Sequence, residues 1–270
     1  MNKTEIDWAD STWNVVTGCL HGCLYCYAKG IARRFAGIIE LPFYDDVDPT
    51  TYYGYEYDAE RGIYDVYRQQ ERRNKKGEIV KSAYPFGFAP TFHRYKLNEY
   101  EKKAGRTIFV VSMGDLFGEW VPDEWIEKVF EACKKAPQHR YLFLTKNPHR
   151  YTELAERGIL PDGNNYWFGS TVTTQGQPFW WNDYHNSFVS IEPIHGPFDR
   201  VENPVKKAGW VILGAENGNR KDKLIPAREW IDNIVNNCRA TGTAVFMKDS
   251  LRDLMGDDFV QEYPWGEIKG

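Results

Sequence analysis

The sequence predicts a parallel α/β fold, either a βα barrel or a doubly wound sheet, and three observations carry that reading. Short apolar runs recur without polar alternation, amphipathic stretches of helical spacing fall between several of them, and polar or reactive residues stand at the C-terminal end of run after run. Runs of that kind suit strands buried on both faces of a parallel sheet. Their alternation with helices selects an α/β architecture.

Taken in order, the runs are "WNVVTG", "TIFVVSM", "RYLFLTK", "YWFGSTV", "SFVSIE", "GWVILGA" and "TAVFMK". After the second, "PDEWIEKVFEACKKA" places apolar residues at helical spacing behind a proline, which the first helical turn tolerates. "NPHRYTELAERG" predicts a shorter helix of the same design, and "PAREWIDNIVNNCRATG" a long one with a glycine just past its end. From about residue 40 to 106 the rhythm breaks. There "GYEYDAERGIYDVY" and "NKKGEIVKS" read as a small meander turning at Gly62 and Gly77. This predicts a β-rich insertion that either covers a barrel mouth or decorates the surface. Its basic run, "RQQERRNKK", suits a solvated face.

A chain of 270 residues is long enough for one sizeable core, so a single domain, 1–270, is expected. Hydrophobic residues make up 42% and charged residues 27%, and no apolar run is long enough to cross a bilayer, which argues against a membrane protein. "MNKTEIDWAD" has no apolar leader core, which predicts a cytoplasmic protein whose cysteines are thiols or metal ligands. A net charge of −4 gives no global attraction for polyphosphate, so nucleic acid is a partner the charge does not indicate. Aromatic residues reach 16%, with 10 tryptophans, more than a core of this size needs; the excess is expected in pockets or grooves.

The strand ends carry the candidate chemistry. The cysteine loop follows the first run, Ser112 to Asp115 the second and Lys146 the third; Ser170 and Thr171 end the fourth, Glu192 the fifth, Glu216 and Asn217 the sixth, and Lys248 the seventh. In a barrel those ends share one mouth, where active sites are built. Glu192 with Lys146 and Lys248 reads as a substrate-side group that anchors an amino or carboxyl group or moves a proton, or equally as an internal ion pair. His93, in "PTFHRYKL", reads as structural.

Three of the five cysteines lie in "VTGCLHGCLYCYAKG": Cys19, Cys23 and Cys26, spaced C-x3-C-x2-C. Three thiolates from one loop can hold three corners of a [4Fe–4S] cube and leave the fourth iron open to a small molecule. The rival is a Cys3His zinc site that recruits His21, but His21 lies two residues from both Cys19 and Cys23 and would strain to join them. The spacing favours the cluster. Cys133 and Cys238 each fall within a helical pattern, where a lone cysteine packs as a small apolar side chain.

The loop, with an aromatic residue, Tyr25, just before its last cysteine, resembles the radical SAM pattern. More closely, the chain resembles the phage-associated three-Cys-motif family of radical SAM-like proteins of unknown function. The resemblance runs through "IDWADSTWNVVTGC", "CYAKGIARRF", "IFVVSMGDLFGEWVP", "QHRYLFLTKNPHR", "FVSIEPIHGPF" and "WVILGAENG". The insertion and "TTQGQPFWWNDYHNS" fit it least.

The resemblance implies a partial (β/α)6-type TIM barrel of the radical SAM kind with an inserted β-rich segment. It also implies a [4Fe–4S] cluster on Cys19, Cys23 and Cys26, with S-adenosylmethionine on the open iron and an electron donor such as flavodoxin or ferredoxin. Reductive cleavage would then give a 5′-deoxyadenosyl radical that takes hydrogen from a small-molecule or nucleotide substrate, or from a phage nucleic-acid base. By the same resemblance Ser112, Gly114 and Asp115 hold the methionine amino group, although "SMGD" departs from the commoner form with two glycines. Tyr25 lies beside the cluster and adenine, Ser170, Thr171 and Thr173 contact the ribose, and Glu216 ends a glycine-spaced strand against the nucleoside. The alternatives are a metal-stabilised binding protein, with zinc or an inert iron–sulfur cluster, a nucleic-acid-binding module led by the aromatic, basic insertion, and a radical SAM enzyme acting on an amino acid or peptide.

Overall fold

The computed structural model describes residues 4–42, 46–199, 207–216 and 222–266. In chain order its strands and α-helices are β1 (Ser11–Trp13), β2 (Val16–Thr17), α1 (Tyr27–Arg34), α2 (Pro49–Tyr52), β3 (Tyr55–Asp58), β4 (Ile63–Val66), β5 (Glu71–Arg73), β6 (Ile79–Lys81) and β7 (Thr91–His93). They continue with β8 (Thr107–Val110), α3 (Asp123–Lys135), β9 (Arg140–Thr145), α4 (His149–Glu156), β10 (Tyr166–Val172), β11 (Asn186–Ile191), β12 (Trp210–Leu213), α5 (Arg228–Thr241), β13 (Ala244–Met247) and α6 (Arg252–Met255). The chain divides into two compact units, one formed by Met1–Ser11 with Arg140–Gly270 and the other by Thr12–His139.

In the first unit β9, β10, β11, β12 and β13 run side by side and parallel. The lack of polar alternation in these strands has a direct structural cause: both sheet faces are covered. Val189, Ile191, Val211, Leu213, Val245 and Met247 lie on one face, in a cluster with Ile231, Ile234 and Cys238 of α5. Phe188, Trp210 and Phe246 lie on the other, where Trp210 meets Trp8, Tyr263 and Trp265 at ring-centroid distances of 6.3, 5.6 and 5.2 Å. Gly242, at φ 69°, ends α5 in the left-handed conformation that glycine adopts without a Cβ clash.

In the second unit a four-stranded sheet is ordered β2-β7-β4-β3, and β5 and β6 form a separate hairpin. The hairpin turns fall at Gly62 (φ 66°) and Gly77 (φ 82°). α3 is polarised to suit its dipole, with Asp123 and Glu124 in the first turn and Lys134 and Lys135 in the last. It buries Trp125, Ile126, Val129, Phe130 and Cys133, and the Trp125 ring meets Phe92 at 5.1 Å.

A partial (β/α)6-type TIM barrel of the radical SAM kind is not what forms. In the first unit five strands, β9 to β13, lie parallel in one sheet, the second unit carries further sheets, and only some crossovers carry a helix. Among the described residues α3 follows β8, α4 follows β9 and α5 precedes β13, whereas no α-helix joins β10 to β11 or β11 to β12. The first of those two links reads "TTQGQPFWWNDYH", where a glycine, a proline and the absence of an apolar period remove the basis for a helix. "WNVVTG" is likewise not one strand: its Trp13 ends β1 and its Val16 and Thr17 form β2, and the two strands belong to different sheets. No helix among the described residues is long and apolar enough to cross a membrane.

Candidate functional site

The cysteine loop, residues 18–26, joins β2 to α1, and backbone contacts hold it at its start. Gly18 has φ 86°, and a β-carbon there would stand 2.2 Å from the Ala89 carbonyl oxygen. Its N–H donates to the Met113 carbonyl at 2.9 Å, and the Cys19 N–H donates to Phe88 O at 3.2 Å. On the facing segment a β-carbon on Gly114 would fall 2.7 Å from Gly18 O. Two side-chain-free positions therefore let the loop and the "SMGD" segment meet backbone to backbone.

That segment is pinned from several sides. Asn14 Oδ1 accepts from the Met113 N–H at 3.0 Å and from Ser112 Oγ at 3.2 Å, and the Tyr27 hydroxyl donates to Ser112 O at 2.9 Å. Just before it Val111 has φ 62°, a conformation that costs a β-branched residue about 1–3 kcal/mol and persists only where the surroundings impose it. The Val111 N–H is held by Trp13 O at 2.9 Å.

His21, inside the cysteine loop, faces Asp115: Nε2 lies 2.8 Å from Oδ2, and the imidazole packs edge-on to Trp120 at 4.9 Å. The other Asp115 oxygen accepts from the Phe117 N–H at 3.0 Å. Asp115 is buried.

Cys19, Cys23 and Cys26 are free thiols, each partly exposed. Burial pushes the Cys19 thiol up to about 12; Asp115, Cys23 and Cys26 add to the rise, and the backbone N–H of His21 opposes it. The Cys26 N–H donates to Cys23 O at 3.3 Å, closing a turn that carries the half-buried Tyr25. So the loop gathers three sulfur donors and a carboxylate within electrostatic reach of one another. A bound cation is what would favour their thiolates. Three soft thiolates suit an iron–sulfur cluster in kind and could hold three corners of a [4Fe–4S] cube. Among the described residues no three His, Cys, Asp or Glu side chains stand in a metal-holding group, so the match rests on donor chemistry.

The remaining sequence-predicted residues belong to the unit containing β9 to β13. Glu192 follows β11 and Lys248 follows β13, with β12 lying between them. The Lys248 ammonium nevertheless donates to Glu192 Oε1 across the end of β12, because Gly214 stands there. A β-carbon on Gly214 would sit 3.1 Å from Lys248 Cδ and 3.2 Å from Glu192 Cδ. The pair is largely buried, at 15% and 25% side-chain exposure. Glu216, buried just beyond, has Oε2 3.8 Å from His195 Nε2, and the His195 backbone N–H donates to Thr173 O at 2.9 Å.

Ser170 and Thr171 are not brought together, since consecutive strand residues point to opposite faces. Ser170 is fully buried and its Oγ accepts from the Trp180 N–H at 2.9 Å, which fastens the β10–β11 link; Thr171 is partly exposed. Thr173 shares Gln177 Oε1 with its neighbour Thr174 in a tight turn. Lys146 follows β9 and is half-buried, and Asn217 lies outside the described residues. Sequence reasoning missed Asn14, Gly18, Tyr27, Gly214 and His195 as parts of these sites. Gly18, adjacent to Cys19, and Tyr27, adjacent to Cys26, carried a local signal.

No curated protein and no solved structure matches the chain. The model of one family, described as a protein of unknown function (DUF5131), matches residues 3–252. With nearly the whole chain covered, the protein belongs to the DUF5131 family.

Proposed function

We propose that the protein is an enzyme that holds a [4Fe–4S] cluster on Cys19, Cys23 and Cys26 and uses S-adenosylmethionine to abstract hydrogen from a small-molecule or nucleotide substrate. The observation that carries this reading is the cysteine loop itself: three free, partly exposed thiols in one loop, held by the Gly18–Gly114 approach. When bound, such a cluster supplies one electron to the sulfonium and so generates the hydrogen-abstracting group.

The chain's own residues have simpler tasks. Gly18 and Gly114 keep the loop against the "SMGD" segment, and Tyr27 and Asn14 fix that segment's backbone. His21 orients Asp115, a buried carboxylate whose charge suits an ammonium group such as that of a methionine. Glu192 and Lys248 form a charged pair able to anchor a substrate amino or carboxyl group, or to carry a proton at Glu192 Oε1.

The test is anaerobic reconstitution followed by iron and sulfide analysis, then mass spectrometry for 5′-deoxyadenosine after S-adenosylmethionine and dithionite are added. Iron and sulfide with nucleoside release in wild type, both lost in Cys26→Ala, support the reading. Zinc in place of iron, or equal iron in wild type and Cys26→Ala, overturns it.

A further inference from the structure

One face of the β3–β4 hairpin is a run of stacked rings with an open end. Tyr57 and Tyr64 are direct cross-strand partners whose rings lie 4.5 Å apart at 27°. Tyr64 stacks on Phe86 at 3.7 Å and 7°, and Phe86 meets Tyr55 edge-on at 4.7 Å. The stack ends at Tyr57, which is 53% exposed.

The charges around this face are sorted. Glu56 and Asp65 are also cross-strand partners, so alternation turns them away from the rings. There Asp65 is tied to Arg94 at 2.6 Å and Glu56 to the Tyr67 hydroxyl at 3.0 Å. The chain then runs from β4 into residues 68–81, which carry six basic residues against two acidic ones. Lys75, Lys76 and Lys81 are exposed on the β5–β6 hairpin. Gln70 joins this cationic segment to the residues that lead into β3, since its side-chain amide donates to Tyr53 O at 3.2 Å, and its carbonyl accepts from the Ser82 N–H at 2.8 Å. An exposed outer ring, on a chain segment that leads directly into a cationic hairpin, is complementary to a ligand made of flat bases on a phosphate backbone. A duplex keeps its bases stacked on each other, so the open ring face selects unpaired ones.

We propose that the β3–β4 aromatic face and the β5–β6 hairpin together form a binding surface for single-stranded nucleic acid, with a base stacking on Tyr57 and phosphates lying along Lys75 and Lys76. Against the chain's net charge of −4 such a local patch binds modestly and with strong salt dependence. The surface does not involve the cysteine loop and requires no metal.

The experiment uses the full chain and fluorescence anisotropy with three labelled probes of about 15 nucleotides, a length that spans a typical single-strand site. The probes are oligo-dT, an abasic phosphodiester of the same length, and a duplex. Oligo-dT is expected to bind about tenfold tighter than the abasic strand, as one stacked base warrants, and Tyr57→Ala to erase that difference while leaving the abasic affinity unchanged. Lys75→Ala with Lys76→Ala should weaken both single strands and flatten the salt dependence. Tyr57 and the two lysines are exposed enough for these variants to fold, and a circular dichroism melt checks it. No binding of oligo-dT, equal affinity for dT and abasic strands, a duplex bound as tightly, or an unaffected Tyr57→Ala would each overturn the proposal. Because the assay needs no cofactor, its failure leaves the proposed iron–sulfur chemistry standing.

Discussion

A β-carbon on Gly114 would stand 2.7 Å from the carbonyl oxygen of Gly18, so the "SMGD" segment reaches the cysteine loop only because residue 114 has no side chain. The obstructing atom is backbone and cannot swing aside; Gly18 N and Val111 Cγ1 crowd the same point at 3.3 and 3.2 Å. Gly114→Ala is therefore expected to lower stability by about 1–3 kcal/mol, the usual cost of overpacking, and to displace the loop. Gly30, inside α1, is the control: nothing lies within 4 Å of its β-carbon position, so Gly30→Ala should stabilise the helix by about 0.5–1 kcal/mol. Urea midpoints of the two variants should move in opposite directions. Equal shifts would mean that the Gly18–Gly114 approach does not constrain the loop.

Cys133 separates a structural thiol from a ligand. It is fully buried on α3, its thiol pushed up by desolvation. Cys133→Ala should cost about 1 kcal/mol, as the loss of one small core group does, and should leave iron and sulfide content after reconstitution unchanged. Cys26→Ala should do the reverse, removing the metal with little effect on the urea midpoint of the metal-free protein. Iron loss in Cys133→Ala would contradict the assignment of the loop as the binding site.

What could be read from the sequence was what is local. The apolar runs from "TIFVVSM" onward coincide with β8 to β13, because burial on both faces of the sheet demands continuous apolar residues; three amphipathic stretches coincide with α3, α4 and α5. The barrel did not follow, since alternation was inferred for every crossover, while "TTQGQPFWWNDYH" folds as a loop clasped by Ser170 and Gln177. The cysteine spacing was visible because it fits in one loop. His21 and Asp115, 94 residues apart, form a pair that no spacing rule announces. Gly214 reads as an ordinary strand-end glycine until β11 and β13 are seen on either side of β12.

The Glu192–Lys248 pair should behave as a coupled unit. Both side chains are mostly shielded from water, so removing one partner strands a charge. Glu192→Gln and Lys248→Met are each expected to cost about 1–3 kcal/mol, and the double variant less than their sum, with a coupling above about 0.5 kcal/mol. Gly214→Ala tests the geometry separately, because its β-carbon presses on flexible side-chain atoms at 3.1 and 3.2 Å and should weaken the coupling more than the fold. Additive single-variant effects would show that the two charges do not sense each other.

His93 sets an acid limit on the Thr12–His139 unit. It is fully buried; Nε2 lies 2.9 Å from Thr17 Oγ1 and Nδ1 3.2 Å from the Tyr95 hydroxyl. Burial first, and the Lys96 ammonium second, hold its pKa well below the ordinary 6.5. Above pH 6.5 the imidazole is neutral in both folded and unfolded chains and adds no pH dependence. Below it, the unfolded chain takes up a proton that the folded chain refuses, so stability falls with pH, by up to about 1.4 kcal/mol per pH unit. His93→Gln keeps a donor and an acceptor at the site but cannot titrate. Between pH 7.5 and 5 the wild type should therefore lose more unfolding free energy than the variant, by about 1–2 kcal/mol. Urea titrations at the two pH values measure that difference, and parallel losses in the two proteins would remove His93 as the cause of acid sensitivity.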